Sequence, residues 1–160
     1  MKKLLLMLLF VPLIGFSQQT LYDSIFHDGV YRQYITYIPD SYDPLVDVPL
    51  LFNFHGRTGT AYSTMWHADF RPISDTANFI IVHPQGLLDN TGLTHWNIGQ
   101  SSVDDIGFIE VLHQKLTVEY SVDLNKVYSA GMSNGGYMSY YLSCAMSDKI
   151  AAIASVTGAC

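Results

Sequence analysis

The residues best suited to chemistry are Gly131-Met132-Ser133-Asn134-Gly135-Gly136, a serine held between glycines in the pattern Gly-x-Ser-x-Gly. A strand-like stretch, Lys126 to Ala130, precedes it and a helix-like run, Tyr137 to Met146, follows. A strand, a tight turn with serine at its apex and a helix form a nucleophile elbow. Glycines suit such a turn because backbone segments approach too closely for a Cβ. The helix aims its unpaired N–H groups at the place where an oxyanion develops. Ser133 is thus the candidate nucleophile for acyl transfer. A serine hydroxyl needs a base to remove its proton, and the attacked carbonyl needs preorganised N–H donors. The backbone N–H of Asn134 is one candidate oxyanion donor. The loop His55-Gly56-Arg57-Thr58-Gly59-Thr60 offers the second, through the backbone N–H of Arg57, with Gly56 allowing the turn.

These positions need a scaffold that brings them together. Tyr31–Ile38 reads as a strand near a sheet edge, and Pro49–Phe54, Phe79–Val82 and Val127–Ala130 as strands buried on both faces. Ile150–Val156 is a further strand-like run. Met65–Asn78 is expected to be partly helical and interrupted by Pro72; Leu87–Gln100 reads as a loop. A helix is expected from Asp104 or Asp105 to about Tyr120, with the two aspartates as a capping pair. Strands alternating with helices predict an α/β fold with a mostly parallel sheet. In such sheets sites form at the carboxyl ends of strands. His55-Gly56, Pro84-Gln85-Gly86 and Gly131 to Gly135 all fall there.

The composition is globular, 49% hydrophobic and 14% charged, with a net charge of −6. Without a basic cluster, nucleic acid is excluded as an expected partner. Residues 1–17 read as a signal peptide: Lys2-Lys3, an apolar run from Leu4 to Ile14, and small residues before a cut after Ser17. The expected product is exported, extracellular or periplasmic, without stable membrane insertion. Cys144 is expected to be a buried thiol in the helix after the elbow; pairing with Cys160 is open. No Cys or His stands at metal-ligand spacing, so no metal is expected. His55 precedes Ser133, against the order Ser, acid, His expected of this motif. It is read as a residue positioning the oxyanion loop, bonded to nearby backbone. His83 is read as a satisfied structural histidine; His27, His67, His95 and His113 have no catalytic context.

Several blocks resemble, in order, the secreted esterase/poly(3-hydroxybutyrate) depolymerase family, which includes feruloyl and acetylxylan esterases. They are Arg32 to Pro39, Phe54-His55-Gly56, Phe79 to Gly86, Trp96-Asn97, Val103 to Phe108, Val127 to Gly136 and Ile150 to Gly158. The resemblance implies an α/β-hydrolase fold with helices on both sheet faces, Ser133 as nucleophile and no cofactor. It implies an ester-bearing polymer or small ester as substrate. His55, Gly56, Trp96 and Asn97 are candidates for lining its pocket, with packing an equal alternative for Trp96-Asn97. The family's His-Gly-Cys is His55-Gly56-Arg57 here. After Ser133 there is no histidine, and the only carboxylate is Asp148. Residues 18–160 are therefore expected to be the N-terminal part of a hydrolase domain, with the triad Asp and His beyond residue 160. A serine peptidase of this fold and a non-catalytic binding protein on the same scaffold remain alternatives.

Overall fold

A computed structural model describes residues 18–158. The predicted signal peptide and Cys160 lie outside them. Six strands form one sheet in the order β1-β2-β4-β3-β5-β6. These are β1 (Gln19–His27), β2 (Val30–Ile38), β3 (Val48–Phe54), β4 (Ile80–Pro84), β5 (Val122–Met132) and β6 (Ile150–Val156). β1–β2 and β2–β4 pair antiparallel; β4, β3, β5 and β6 run parallel. The architecture is the expected α/β fold.

β1 had no counterpart among the sequence expectations. It is mostly exposed and joins β2 through Asp28-Gly29, with φ of 46° and 81°. Two consecutive left-handed residues make the tight hairpin turn that Asp-Gly favours. β2 is therefore second from the edge, near it as expected. Pro72 opens a helix instead of breaking one: α1 (Ala61–His67) and α2 (Arg71–Ala77) are separate, with Pro in the first turn of α2. There its missing N–H costs nothing. Thr60 and Ser63 cap α1 reciprocally.

The helices α3 (Asp105–Glu119) and α4 (Asn134–Ala145) complete the layers. Leu50, Phe52, Phe54, Ile80 and Val82 pack with Phe108, Leu112 and Leu142 into the main core. Ile35 belongs to a second cluster with Ala61 and Met65 of α1. Tyr34, its neighbour in β2, belongs to the first. Since successive strand residues point to opposite faces, the sheet is covered on both. The buried stripe of α4 is Gly135, Gly136, Met138, Ser139 and Leu142. Cys144 lies off this stripe and is exposed, contrary to the buried thiol expected.

His83 in β4 is fully buried, but neither ring nitrogen has a partner among the described residues. It is structural without being satisfied. Burial, aided by the Arg71 charge, pushes its pKa down from 6.5 to about 4. The unfolded chain protonates this ring near its ordinary value, while the folded protein resists. Stability is therefore full above pH about 6.5 and falls as pH drops toward about 4, by about 3 kcal/mol in all. His83→Leu is expected to flatten this window. Urea titrations at neutral pH and at about pH 5 check it; an unchanged pH dependence in the variant would reject His83 as the source.

Candidate active site

β3, β4 and β5 end at Phe54, Pro84 and Met132 on one edge of the sheet, because all three run parallel. The chain passes from β3 to β4 on one side, then crosses to β5 on the other. Open α/β sheets hold ligands outside the carboxyl ends at such a reversal.

Ser133 stands at the turn between β5 and α4 with φ 53° and ψ −119°. This is left-handed space that non-glycine residues adopt only when the surroundings impose it. The surroundings are tight. A Cβ on Gly131 would lie 2.4 Å from the Gly135 backbone, and one on Gly135 would lie 2.4 Å from the Phe54 carbonyl oxygen. The Ser133 N–H donates to Val156 O at 2.8 Å, anchoring the elbow to β6. Its hydroxyl makes no cap to α4 and has no hydrogen-bond partner among the described residues. The side chain is free at the mouth of the turn.

The oxyanion loop meets the elbow. A Cβ on Gly56 would lie 3.3 Å from Met132 O and 3.7 Å from Ser133 Cβ. The backbone N–H groups of Arg57 and Asn134 find no acceptor among the described residues. The loop is fixed from behind: Thr58 N–H donates to Thr94 O at 2.9 Å, and the Thr94 hydroxyl donates to Gly59 O at 2.6 Å. Thr58 takes φ 68°.

His55 is 1% exposed and spent on positioning. Its Nε2 accepts from the Gly86 N–H at 2.9 Å, so Nδ1 carries the proton and donates to Gly56 O at 2.8 Å. Burial holds its pKa below the ordinary value, which keeps this neutral form. With both nitrogens occupied it takes no proton from Ser133.

Of the four candidates for lining a pocket, Trp96 borders the cleft that Arg57 and Asn134 also line, while His55, Gly56 and Asn97 do not line it. His55 and Gly56 are buried at the start of the oxyanion loop. Trp96 is 1% exposed; its indole N–H donates to His55 O at 2.9 Å and its ring meets Phe54 edge-on. The Asn134 side chain clamps the Trp96 backbone from both sides, accepting from N–H at 2.6 Å and donating to O at 3.0 Å. Asn97 uses its carbonyl for the N–H groups of Gly99, Gln100 and Ser101, and its amide for the carbonyls of Ser101 and Val103. Trp96 and Asn97 therefore hold the site together: one ties the elbow to the oxyanion loop, the other shapes the next turn.

The cleft, of about 560 Å³, is bordered by Arg57, Asp89, His95, Trp96, Ser101 and Asn134, the last being the residue after Ser133. Asp89 was absent from the expectations. Asp89-Asn90-Thr91-Gly92 carries turn residues that signal a compact loop, but nothing local reveals its partner, Arg57. The paired aspartates also separate. Asp104 caps α3, accepting from the Gly107 N–H at 2.9 Å. Asp105 is no cap: it is buried, paired with Arg32 of β2, and accepts the Asn97 N–H at 2.7 Å. Among the described residues, no cluster of His, Cys, Asp or Glu has the makings of a metal site. No described helix is long and apolar enough to cross a membrane.

This sheet and elbow define an α/β-hydrolase. A solved ferulic acid esterase matches with a TM-score of 0.70 at 21% identity, over 86% of this chain and 59% of its own. An acetyl xylan esterase from Aspergillus awamori matches with 0.68 at 21%, over 86% and 50%. No family model matches. In sequence the chain is 30% identical over 132 residues to feruloyl esterase C of Emericella nidulans, covering 79% of this chain and 46% of that protein. It is 27% identical over 140 residues to a bifunctional acetylxylan esterase/xylanase of Neocallimastix patriciarum, covering 88% and 20%. The chain has the α/β-hydrolase fold and is similar in sequence to feruloyl and acetylxylan esterases. It spans less than half the length of these two curated relatives.

Proposed function

We propose that the complete protein is a secreted serine hydrolase that cleaves carboxylic esters on polysaccharide, feruloyl or acetyl, through an acyl-enzyme at Ser133. The observation that carries this reading is the strained, exposed Ser133, whose unbonded hydroxyl stands against the Gly56-Arg57 loop. Ser133 Oγ attacks the ester carbonyl, and the backbone N–H groups of Asn134 and Arg57 receive the developing oxyanion. The proton passes to a histidine oriented by an acid, both supplied beyond residue 160. The relatives favour polysaccharide esters over a polyester substrate.

A fluorophosphonate applied to the complete protein, followed by peptide mapping, tests the assignment. Labelling is expected at Ser133 alone. A label on another residue would discard Ser133 as nucleophile. No label, together with retention on feruloylated arabinoxylan, would favour the non-catalytic scaffold.

A further inference from the structure

Arg57 borders the same cleft as Asn134, the residue after Ser133, and its guanidinium is only partly used. Its Nη2 donates to Asp89 Oδ2 at 2.5 Å and to the Thr91 hydroxyl oxygen at 3.2 Å. The donors on Nε and Nη1 have no acceptor among the described residues, and the side chain is 50% exposed. Its partner is immobilised. Asp89 Oδ1 accepts from the Thr91 N–H at 2.8 Å, the Thr91 hydroxyl at 2.6 Å and the Leu93 N–H at 3.1 Å. These bonds, the Thr91 hydroxyl foremost, hold the carboxyl well below the usual carboxylate range. Asp89 stays ionised at any working pH, and the pair is neutral as a unit.

The guanidinium is therefore a rigid fork with one edge tethered and the other open. Asn90, Gln100, Ser101 and Ser102 add uncharged amides and hydroxyls to the same cleft, beside the apolar Leu88, Trp96 and Val103. Such a site offers fixed donors without net charge. A carboxylate gains little there, because Asp89 already answers the Arg57 charge. An apolar acyl group would leave the donors unpaired as it excluded water, which is costly. A sugar ring, neutral and rich in hydroxyl and ether oxygens, fits both conditions. Arg57 directly follows Gly56, which packs against the elbow, and Asn134, the residue after Ser133, borders the cleft that Arg57 lines.

We infer that Arg57 is a specificity-determining residue that donates hydrogen bonds from its free edge to the sugar side of the scissile ester. The inference rests on the esterase reading and deepens it. Tethering by Asp89 and Thr91 prepays the ordering of a long side chain, so binding gains more from each hydrogen bond.

The test uses the complete protein and two esters with one acyl group: methyl ferulate and a feruloylated arabinose oligosaccharide, or the acetyl counterparts. Arg57→Ala is expected to lower kcat/KM on the sugar ester about tenfold further than on the methyl ester, chiefly through KM. Arg57→Lys keeps the charge but loses the fork, and is expected to show an intermediate loss of discrimination. This variant also serves if the alanine protein folds poorly. Equal losses on both esters would overturn the inference. So would a sugar-ester penalty that vanishes between about 0.05 and 0.5 M salt, the mark of a charged partner. A wild-type protein inactive on both esters and unlabelled at Ser133 would overturn the esterase reading and this inference together. An active, labelled protein without Arg57-dependent discrimination would overturn this inference alone.

Discussion

Ser133→Ala in the complete protein is expected to lower kcat on a simple aryl ester by on the order of 10⁵ or more, with KM little changed. The loss is chemical and not structural. Ser133 is exposed and its hydroxyl bonds to no described residue, so removing it orphans nothing. The Asn134 and Arg57 N–H groups persist in the variant and account for any residual rate above water. A second substitution separates function from folding. Ser133→Gly removes the same hydroxyl but relieves the positive φ of 53°, a conformation that costs a side-chain-bearing residue about 1–3 kcal/mol. It is expected to be inactive and more stable than the parent by thermal melting. Strain at a residue is kept for use, so the two effects should take opposite signs. A kcat for Ser133→Ala within tenfold of the parent would remove Ser133 from the mechanism. A Ser133→Gly protein that melts lower would mean that the elbow stores no strain.

The elbow was legible because its requirements are local. Gly131 and Gly135 admit backbone at 2.4 Å, and only glycine fits. The three central strands were legible because parallel strands buried on both faces read as continuous apolar runs ending in turn residues. β1 is not legible because it is an exposed edge strand without such a run; Asp28-Gly29 is its marker. The supporting frame of the site was hidden for another reason. Trp96 and Asn97 have the chemistry of a sugar platform, and their actual roles depend on partners far away in sequence. The indole bonds His55 across 41 residues, and Asn134 clamps the Trp96 backbone across 38. Arg57 was singled out for its backbone, while its side-chain partner Asp89 lies 32 residues on. Asp104 and Asp105 are identical in type and adjacent. Asp104 caps α3 and Asp105 pairs with Arg32 of β2 in the core, a distinction fixed by a partner 73 residues away.

Asp105→Ala is accordingly expected to destabilise the fold by about 3–5 kcal/mol, far more than a lost surface ion pair. Arg32 is 2% exposed and lies over the Phe108 ring at 4.1 Å, with its Nε already unpaired among the described residues. Without the carboxylate its charge stays buried and uncompensated. The Asn97 N–H loses its acceptor as well, and Asn97 organises the turn that leads to Ser101 in the cleft wall. Arg32→Met alone is expected to cost a similar amount by stranding the carboxylate. The double variant Arg32→Met/Asp105→Leu removes both charges and fills the space with apolar atoms, so it is expected to be more stable than either single variant. Recovery should stop about 1–3 kcal/mol short, because the Asn97 N–H still lacks a partner. Urea denaturation of the four proteins gives the coupling energy directly. Additive single effects would mean that the two groups do not share one buried interaction. A double variant that regained stability but lost discrimination between sugar and methyl esters would place the Asn97 turn, not the ion pair itself, as the link between the core and the cleft.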